Sequence, residues 1–142
     1  MAQILVGHHD VVGQYVSREV GKLWVPGAGT TLGWIDNGKL IAGVTFIGYD
    51  GVNVWMDCAA EPGSRWLDRR GLWAIFHYVF EQLRCTRVSA MIPESNDKSI
   101  KLVEQAGFTL EASLARAAPG GEDMKVFRMF REDCRWLKRA GK

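Results

Sequence analysis

A change in hydrophobic period near residue 62 constrains the fold more than any other feature of the sequence. Before it lie three short segments with strand patterns, at residues 31–36, 40–47 and 52–58. After it, apolar residues recur at helical spacing from Leu72 to Leu83, and a further strand pattern follows at 87–92. This order predicts that strands 52–58 and 87–92 are parallel neighbours, joined by a right-handed crossover through the helix.

Turn and cap signals complete the predicted topology. The turns at 37–38 (NG) and 49–51 (YDG) join the first three strands into an antiparallel meander, and a helix over 9–21 precedes them. Ser95 or Asn96 begins a later helix that Gly107 ends, and strands at 108–116 and 124–131 and a short terminal helix follow. We therefore predict an α/β (α+β) fold in one domain over residues 1–142, with a mixed, mostly antiparallel central sheet and helices on both faces.

Composition and charge argue against several classes of function. The net charge of +2 is weak for a nucleic-acid binder. Three cysteines without a CxxC pair indicate a reducing compartment rather than a disulfide framework, and no ligand cluster predicts a metal site. The chain has no signal-peptide pattern and no apolar run near the roughly 20 residues that span a membrane. We therefore expect a cytoplasmic protein without a membrane partner.

Two stretches resemble the GNAT superfamily of acyl-CoA N-acyltransferases. Residues 96–108 (NDKSIKLVEQAGF) are similar to the family's N-x-x-S/A…E-K-x-G-F helix and turn. Residues 127–137 (FRMFREDCRWL) look like the closing strand and helix of the branch that acetylates ribosomal-protein N-termini and small amines. The resemblance, which covers about residues 30–137, implies that strands 52–58 and 87–92 splay apart. It also implies that acyl-CoA enters the V-shaped gap and that the acceptor amine comes from the other side.

The resemblance places the pyrophosphate of acetyl-CoA at the start of the helix after residue 68. The family motif there is Q/R-x-x-G-x-G/A, but residues 68–73 read DRRGLW, so only Gly71 matches. The backbone N–H groups of a helix start bind phosphate, and arginines pair with its oxygens. The predicted cofactor contacts are Cys58, Ala59, Arg65, Arg69, Arg70, Gly71, Leu72 and Asn96. The alternative is that Gly71 only begins a helix and the arginines are solvated.

Acyl transfer to an amine also needs hydrogen-bond donors to the thioester carbonyl and a group that accepts the amine's proton. We expect the donors near Asp57, Cys58 and Ala59, where a bulge at 58–60 would interrupt the strand. Glu61 is the first candidate base and Asp57 the second, although each also fits an ordinary surface carboxylate.

The leaving thiolate has no evident proton donor, because Val103 stands where the resemblance implies a tyrosine. Asn96 and Ser99 remain as hydrogen-bonding groups near the thiol, with helix capping as their alternative role. Cys58 has no histidine partner in the sequence, which favours direct transfer over a covalent intermediate.

These features predict an N-acetyltransferase that moves an acetyl group from acetyl-CoA to a primary amine, on a peptide N-terminus or a small molecule. The degenerate motif at 68–73 and Val103 leave open a non-catalytic GNAT-fold binding module, and the clustered arginines leave open a GNAT-like enzyme that modifies nucleic-acid bases. Only one helix precedes the first hairpin, so the acceptor side is either open or completed by a second subunit in a homodimer.

Overall fold

A computed structural model describes residues 2–137 of the chain. Its strands and helices are, in chain order, β1 (Gln3–Val6), α1 (His9–Val20), β2 (Gly29–Asp36), β3 (Lys39–Ile47), β4 (Trp55–Ala60), α2 (Arg69–His77), β5 (Arg87–Pro93), α3 (Asp97–Ala106), β6 (Thr109–Leu114) and β7 (Met124–Phe130). A π-helical turn, Tyr78–Gln82, continues α2, and short 3-10 turns occupy Pro119–Gly121, Arg131–Asp133 and Arg135–Leu137.

The seven strands form one sheet in the order β1-β2-β3-β4-β5-β7-β6. Neighbours in this sheet are antiparallel, except that β4 and β5 are parallel and are joined through α2. The predicted fold class is therefore confirmed. The four-residue strand β1 was not predicted, because its apolar residues are too few to establish a period.

The helices cover the two faces of the sheet unequally. On one face, here called the α1 face, Val12 and Val16 of α1 approach the backbone of Gly43 so closely that a Cβ there would lie 2.7 Å and 2.8 Å from them. This helix contacts β2, β3 and β4. Helices α2 and α3 lie on the opposite face, the α2 face, where Ile75 and Phe76 of α2 and Val103 of α3 belong to the main hydrophobic core.

The helix-period segment becomes the centre of that core. Ile75, Phe76, Val79 and Phe80 are at most 2% exposed, which confirms the apolar stripe that the sequence predicts. The regular helix ends at His77, and the π-helical turn carries the stripe on to residue 82. Gly107 ends α3 in the left-handed conformation (φ 111°), as predicted.

Strand β4 begins three residues later than the sequence pattern predicts. The Asp50 Oδ1 atom accepts hydrogen bonds from the N–H groups of Val52 (2.9 Å) and Asn53 (2.7 Å) and folds them into a turn. These hydrogen bonds, chiefly that from Asn53, lower the pKa of Asp50. The strand instead continues to Ala60, two residues beyond the predicted end.

Candidate functional site

Strands β4 and β5 separate almost as soon as they meet. Upstream of their contact, the Val54 carbonyl accepts a hydrogen bond from the Ser89 N–H (2.9 Å). Trp55 and Ser89 are then the only residue pair in register between the two strands over residues 2–137. Beyond this pair a gap opens toward the carboxyl ends of both strands, as the splayed pair was predicted to do.

The backbone groups that face this gap follow from the alternation of hydrogen bonds along β4. The Glu61 N–H bonds to the Ile41 carbonyl (2.8 Å), whereas the Val54 carbonyl faces β5. Since the β3–β4 register is continuous from residue 55 to residue 60, odd-numbered residues of β4 pair with β3 and even-numbered residues face the gap. Cys58 and Ala60 therefore present their N–H and C=O groups to the gap.

This register corrects two predictions about the strand. The Asp57 and Ala59 backbone groups point to β3, where their partners are Thr45 and Gly43. Ala60 therefore replaces them beside Cys58 as a possible donor. The predicted bulge at 58–60 is wrong, because the strand keeps its pairing without a shift. The opposite side of the gap was not predicted: by the same alternation, Met91 of β5 faces it.

An apolar cleft lies beside the gap on the α2 face. Its walls come from β3, β4, the loop before α2, α2, α3 and the residue after the α3 cap: Val44, Met56, Cys58, Trp66, Leu67, Leu72, Ile75, Phe76, Leu102, Val103, Ala106 and Phe108. Leu72 and Val103 both line it, so the position where the resemblance implies a tyrosine faces the cleft but offers no hydroxyl. The walls are apolar rather than charged, and the space between them is small, about 20 Å³.

The Cys58 thiol belongs to this cleft. Burial, reinforced by the nearby Asp57 carboxylate, raises the pKa of Cys58 to about 12. The group is therefore a protonated thiol at neutral pH, which agrees with the expectation that it is not a nucleophile.

The start of α2 lies at the open end of the gap, after the end of β4. Asp68 is its N-cap, and the Asp68 Oδ1 atom accepts the Gly71 N–H at 2.8 Å. The glycine is also required by close packing, because a Cβ at residue 71 would lie 2.9 Å from the Trp66 carbonyl oxygen. The carboxylate thus occupies a donor that the sequence prediction assigned to phosphate.

The three arginines near this helix start differ in their availability. Arg65 and Arg69 are exposed and form no hydrogen bond or ion pair with other residues of 2–137. The Arg70 guanidinium instead donates to the Ala2 carbonyl and ties the helix start to the N-terminal segment. Two of the three predicted phosphate ligands are therefore free side chains.

Asn96 and Ser99 have the capping roles that the sequence left as their alternative. The Asn96 Oδ1 atom accepts the Ser99 N–H at 3.2 Å, and this bond begins α3 just beyond the carboxyl end of β5. Both residues thus lie at the open end of the gap.

Two carboxylates lie on the α1 face beside the gap, each with its own cation. Asp57, two residues past Trp55, accepts hydrogen bonds from Lys22 Nζ at 3.0 Å and 2.8 Å. Glu61, six residues past Trp55, accepts the Tyr15 hydroxyl at 2.9 Å and lies 3.5 Å from Lys39 Nζ. At about 3.3 Å per residue along a strand, Asp57 is about 7 Å from the point of separation and Glu61 about 20 Å.

Tyr15 is fixed as a hydrogen-bond donor. Burial, together with the Glu61 carboxylate that it contacts, raises the pKa of Tyr15 well above its ordinary value. The hydroxyl therefore keeps its proton and holds the Glu61 side chain in place. Neither Tyr15 nor Lys22 was predicted as part of the site, because both lie far from β4 in sequence.

A polar network crosses the α1 face next to the point of separation. The Ser89 hydroxyl bonds to Asn53 Oδ1 (2.6 Å) and accepts a hydrogen bond from Arg87 (2.9 Å). Arg87 also donates to both Glu111 carboxylate oxygens, at 2.6 Å and 3.1 Å. These hydrogen bonds and the charges of Arg87 and Arg128 lower the pKa of Glu111.

Other site types have no counterpart in the part of the chain that is described. No helix among residues 2–137 has both the length and the apolar character needed to cross a membrane. No group of three or more histidine, cysteine or carboxylate side chains in this range could hold a metal ion.

The single separating parallel pair and the helix that joins it agree with the fold that the resemblance to GNAT proteins implies. No protein-family model and no curated protein sequence matches this chain. Solved structures do: the spermidine/spermine N-acetyltransferase of Vibrio cholerae matches over 99% of both chains, with a TM-score of 0.76 and 14% identity.

Two further acetyltransferases of known structure share the fold. The ribosomal-protein-S5-alanine acetyltransferase of Vibrio fischeri covers 75% of this chain and 64% of its own, with a TM-score of 0.64 and 16% identity. The N-acetyltransferase PseH of Campylobacter jejuni covers 74% and 70%, with a TM-score of 0.58 and 18% identity. At these identities the comparisons establish the fold that the sequence resemblance predicted.

Proposed function

We propose that this protein is an acyl-CoA-dependent N-acyltransferase that transfers an acetyl group from acetyl-CoA directly to a primary amine. The observation that carries the proposal is the separation of β4 and β5 beyond Trp55 and Ser89. It leaves strand backbone groups of Cys58, Ala60 and Met91 facing a gap with an apolar cleft beside it. An acyl-pantetheine chain combines amides, which bond to such backbone, with alkyl segments, which suit such walls.

In this arrangement the Cys58 N–H donates to the thioester carbonyl oxygen, and the Ala60 N–H bonds to an amide of the pantetheine chain. Acetyl-CoA supplies an activated acyl carbon. The amine nitrogen forms a bond to that carbon, and the carbon–sulfur bond breaks. Backbone donors that are fixed before the reaction stabilise the negative charge that develops on the oxygen.

The amine must lose a proton, because an alkyl amine has a pKa of about 10. Among the predicted bases, Asp57 lies nearer the point of separation, and its side chain is on the α1 face, opposite the apolar cleft. We assign the proton acceptor to Asp57, ahead of Glu61, whose carboxylate is held about four residues farther along by Tyr15. The leaving thiolate, with a thiol pKa of about 8.5 by analogy with cysteine, departs without a dedicated acid.

The phosphate end of acetyl-CoA fits the start of α2 only in part. Arg65 and Arg69 are available to pair with phosphate oxygens. The Asp68 carboxylate disfavours phosphate binding. It accepts the Gly71 N–H, and it is negatively charged like the phosphates. This balance supports cofactor binding of moderate rather than high affinity.

The test of this function is release of CoA thiol from acetyl-CoA by the purified full-length chain, with a panel of amines and short peptides as acceptors. We expect turnover that saturates with acetyl-CoA and falls about 100-fold in Asp57→Asn, the usual contribution of a general base. Glu61→Gln should lose less than Asp57→Asn. Glu104→Gln, on the exposed side of α3, is the matched control and should be unchanged.

The main rival is the non-catalytic binding module, which Asp68 and Val103 still favour. It predicts CoA binding by calorimetry with no amine-dependent thiol release. The base-modifying alternative predicts retention on DNA or RNA that falls steeply with salt. Absence of CoA binding at millimolar concentration would contradict the acyltransferase proposal.

A further inference from the structure

We propose that the acceptor amine also carries an anionic group, a carboxylate or a phosphate, and that Arg128 binds it. This inference rests on the proposed function and specifies the class of acceptor. It assigns Arg128 as a residue that determines specificity at the α1 face, next to the gap between β4 and β5.

Arg128 lies directly across the sheet from Trp55 and Ser89, the pair beyond which β4 and β5 separate. On β7 it pairs with Ser89 of β5, and Ser89 pairs in turn with Trp55 of β4. Paired residues of neighbouring strands project to the same face, so Arg128 shares the α1 face with Asp57, two residues past Trp55. With strands about 4.8 Å apart, the Arg128 Cα is about 10 Å from that of Trp55, within reach of a ligand in the gap.

The neighbouring charges leave Arg128 without a full partner. Among residues 2–137 it donates no hydrogen bond, and its Nε atom is buried without one. Its nearest carboxylate oxygen is Glu111 Oε2 at 3.8 Å, but both oxygens of that group already accept hydrogen bonds from Arg87. The guanidinium lies 4.2 Å from the centroid of the Phe130 ring, which holds its plane in a defined position.

This arginine is positioned to accept a ligand from solvent. Its side chain keeps 24% of its surface exposed, and α1 contacts β2, β3 and β4 on this face. A guanidinium with a fixed plane and free N–H groups is the group that best matches the two oxygens of a carboxylate or phosphate.

The remaining charges of the α1 face argue against a polyamine acceptor. The carboxylates nearest the gap on the strand side of this face are each paired with a cation: Asp57 with Lys22, Glu61 with Lys39, and Glu111 with Arg87. Glu19 of α1 adds a negative charge near Tyr15, farther along toward Glu61. Arg128 is a further positive charge on the strands of this face. A polycation would have to displace these lysines and arginines, whereas an anion meets Arg128 directly.

The anion must lie several ångströms from the reacting amine. The distance from the gap to Arg128 is one or two strand spacings, about 5–10 Å. A dipeptide spans about 7 Å. The N-terminus of a peptide whose first or second residue is acidic has this separation, and so does an amine with a phosphate group at a similar distance.

The experiment compares kcat/KM for acceptors that differ only in the anion, using the full-length chain and saturating acetyl-CoA. The carboxylate arm pairs Ala-Glu amide with Ala-Gln amide, and the phosphate arm pairs aminopropyl phosphate with aminopropanol. Spermidine is the cationic comparison. We expect the anionic member of at least one pair to be preferred about ten-fold, and the two arms tell a carboxylate from a phosphate.

The matched variants are Arg128→Gln and Arg18→Gln, the latter on an exposed position of α1. Arg128→Gln should lose the ten-fold preference and leave the neutral acceptors unchanged, whereas Arg18→Gln should keep it. Arg128→Lys, which retains the charge, should recover part of it and separates loss of recognition from loss of folding.

Two results would overturn the inference in different ways. If the anionic and neutral acceptors react equally, or if Arg128→Gln slows both alike, transfer stands and Arg128 does not select the acceptor. If no amine is acylated at all, the proposed function fails and the assignment of Arg128 fails with it.

Discussion

Cys58 is positioned to contact a bound thioester without reacting with it. Its N–H faces the gap, whereas its thiol belongs to the apolar cleft and has a pKa of about 12. Burial therefore keeps the thiol protonated, and a thiol is a far weaker nucleophile than a thiolate.

Replacement of this side chain should therefore leave catalysis largely intact. We expect Cys58→Ala to keep kcat within about three-fold, because the backbone donor remains. Intact-mass spectrometry of wild type incubated with acetyl-CoA should reveal no acetylated protein. A stable acetyl adduct on Cys58, or loss of activity in a folded Cys58→Ala, would instead require a covalent route.

Glu111 gives a prediction for stability at acid pH. Its pKa is lowered by Arg87, so the carboxylate stabilises the folded state above its ordinary pKa of 4.5 and loses that effect as pH falls below it. The free energy of unfolding in urea should thus fall more steeply from pH 6 to pH 3 in wild type than in Glu111→Gln. Glu104→Gln is the control, and equal slopes in wild type and Glu111→Gln would contradict the pairing.

A strand pattern could single out Cys58 and Asp57 as candidate site residues, and their roles stay predictions. The motif also singled out Gly71, but its N–H is taken by Asp68. Arg128 and Tyr15 carried no such mark. Arg128 joins the site because it pairs with Ser89, which is 39 positions away in the sequence. Tyr15 joins it through a hydrogen bond to Glu61, which is 46 positions away. Sequence periodicity describes neighbours along the chain and contains no information about such pairs.

At the scale of an element, the start of α2 combines a stabilising cap with an unfavourable charge for a phosphate ligand. The Asp68 carboxylate accepts the Gly71 N–H and so completes the helix end. An asparagine caps a helix about as well as an aspartate but carries no charge.

Asp68→Asn should therefore bind CoA more tightly without loss of stability. We expect the dissociation constant from calorimetry to fall about five-fold, since roughly 1 kcal/mol of repulsion is removed at a solvated site. Asp68→Ala should lose about 1 kcal/mol of unfolding free energy because the cap is gone. Weaker CoA binding by Asp68→Asn would mean that the phosphates do not lie at this helix start.

The helices were predicted more accurately than the strand that borders the gap. The stripe from Leu72 to Leu83 has many repeats of one period, so its assignment depended on no single residue. The start of β4 depended on Val52 and Asn53, whose backbone N–H groups are captured by the Asp50 side chain. Such local competition between a side chain and a strand is invisible to an alternation pattern.

At the scale of the whole molecule, the sheet has one half more open than the other. Helix α1 contacts β2, β3 and β4, and all six residues of β6 are exposed. The expectation of a single helix before the hairpin is confirmed. Two alternatives stay predictions that sedimentation velocity would distinguish: an open acceptor side, or one that a second subunit completes in a homodimer.

The proposed acyl transfer requires acyl-CoA to lie between β4 and β5. The direct measurement is an amide NMR titration of the ¹⁵N-labelled chain with CoA. It should move the Cys58, Ala60 and Met91 resonances most, since their N–H groups face the gap, and move Asp57 and Ala59 less, since theirs pair with β3. Unchanged Cys58, Ala60 and Met91 resonances at millimolar CoA, or shifts confined to another surface, would contradict the account.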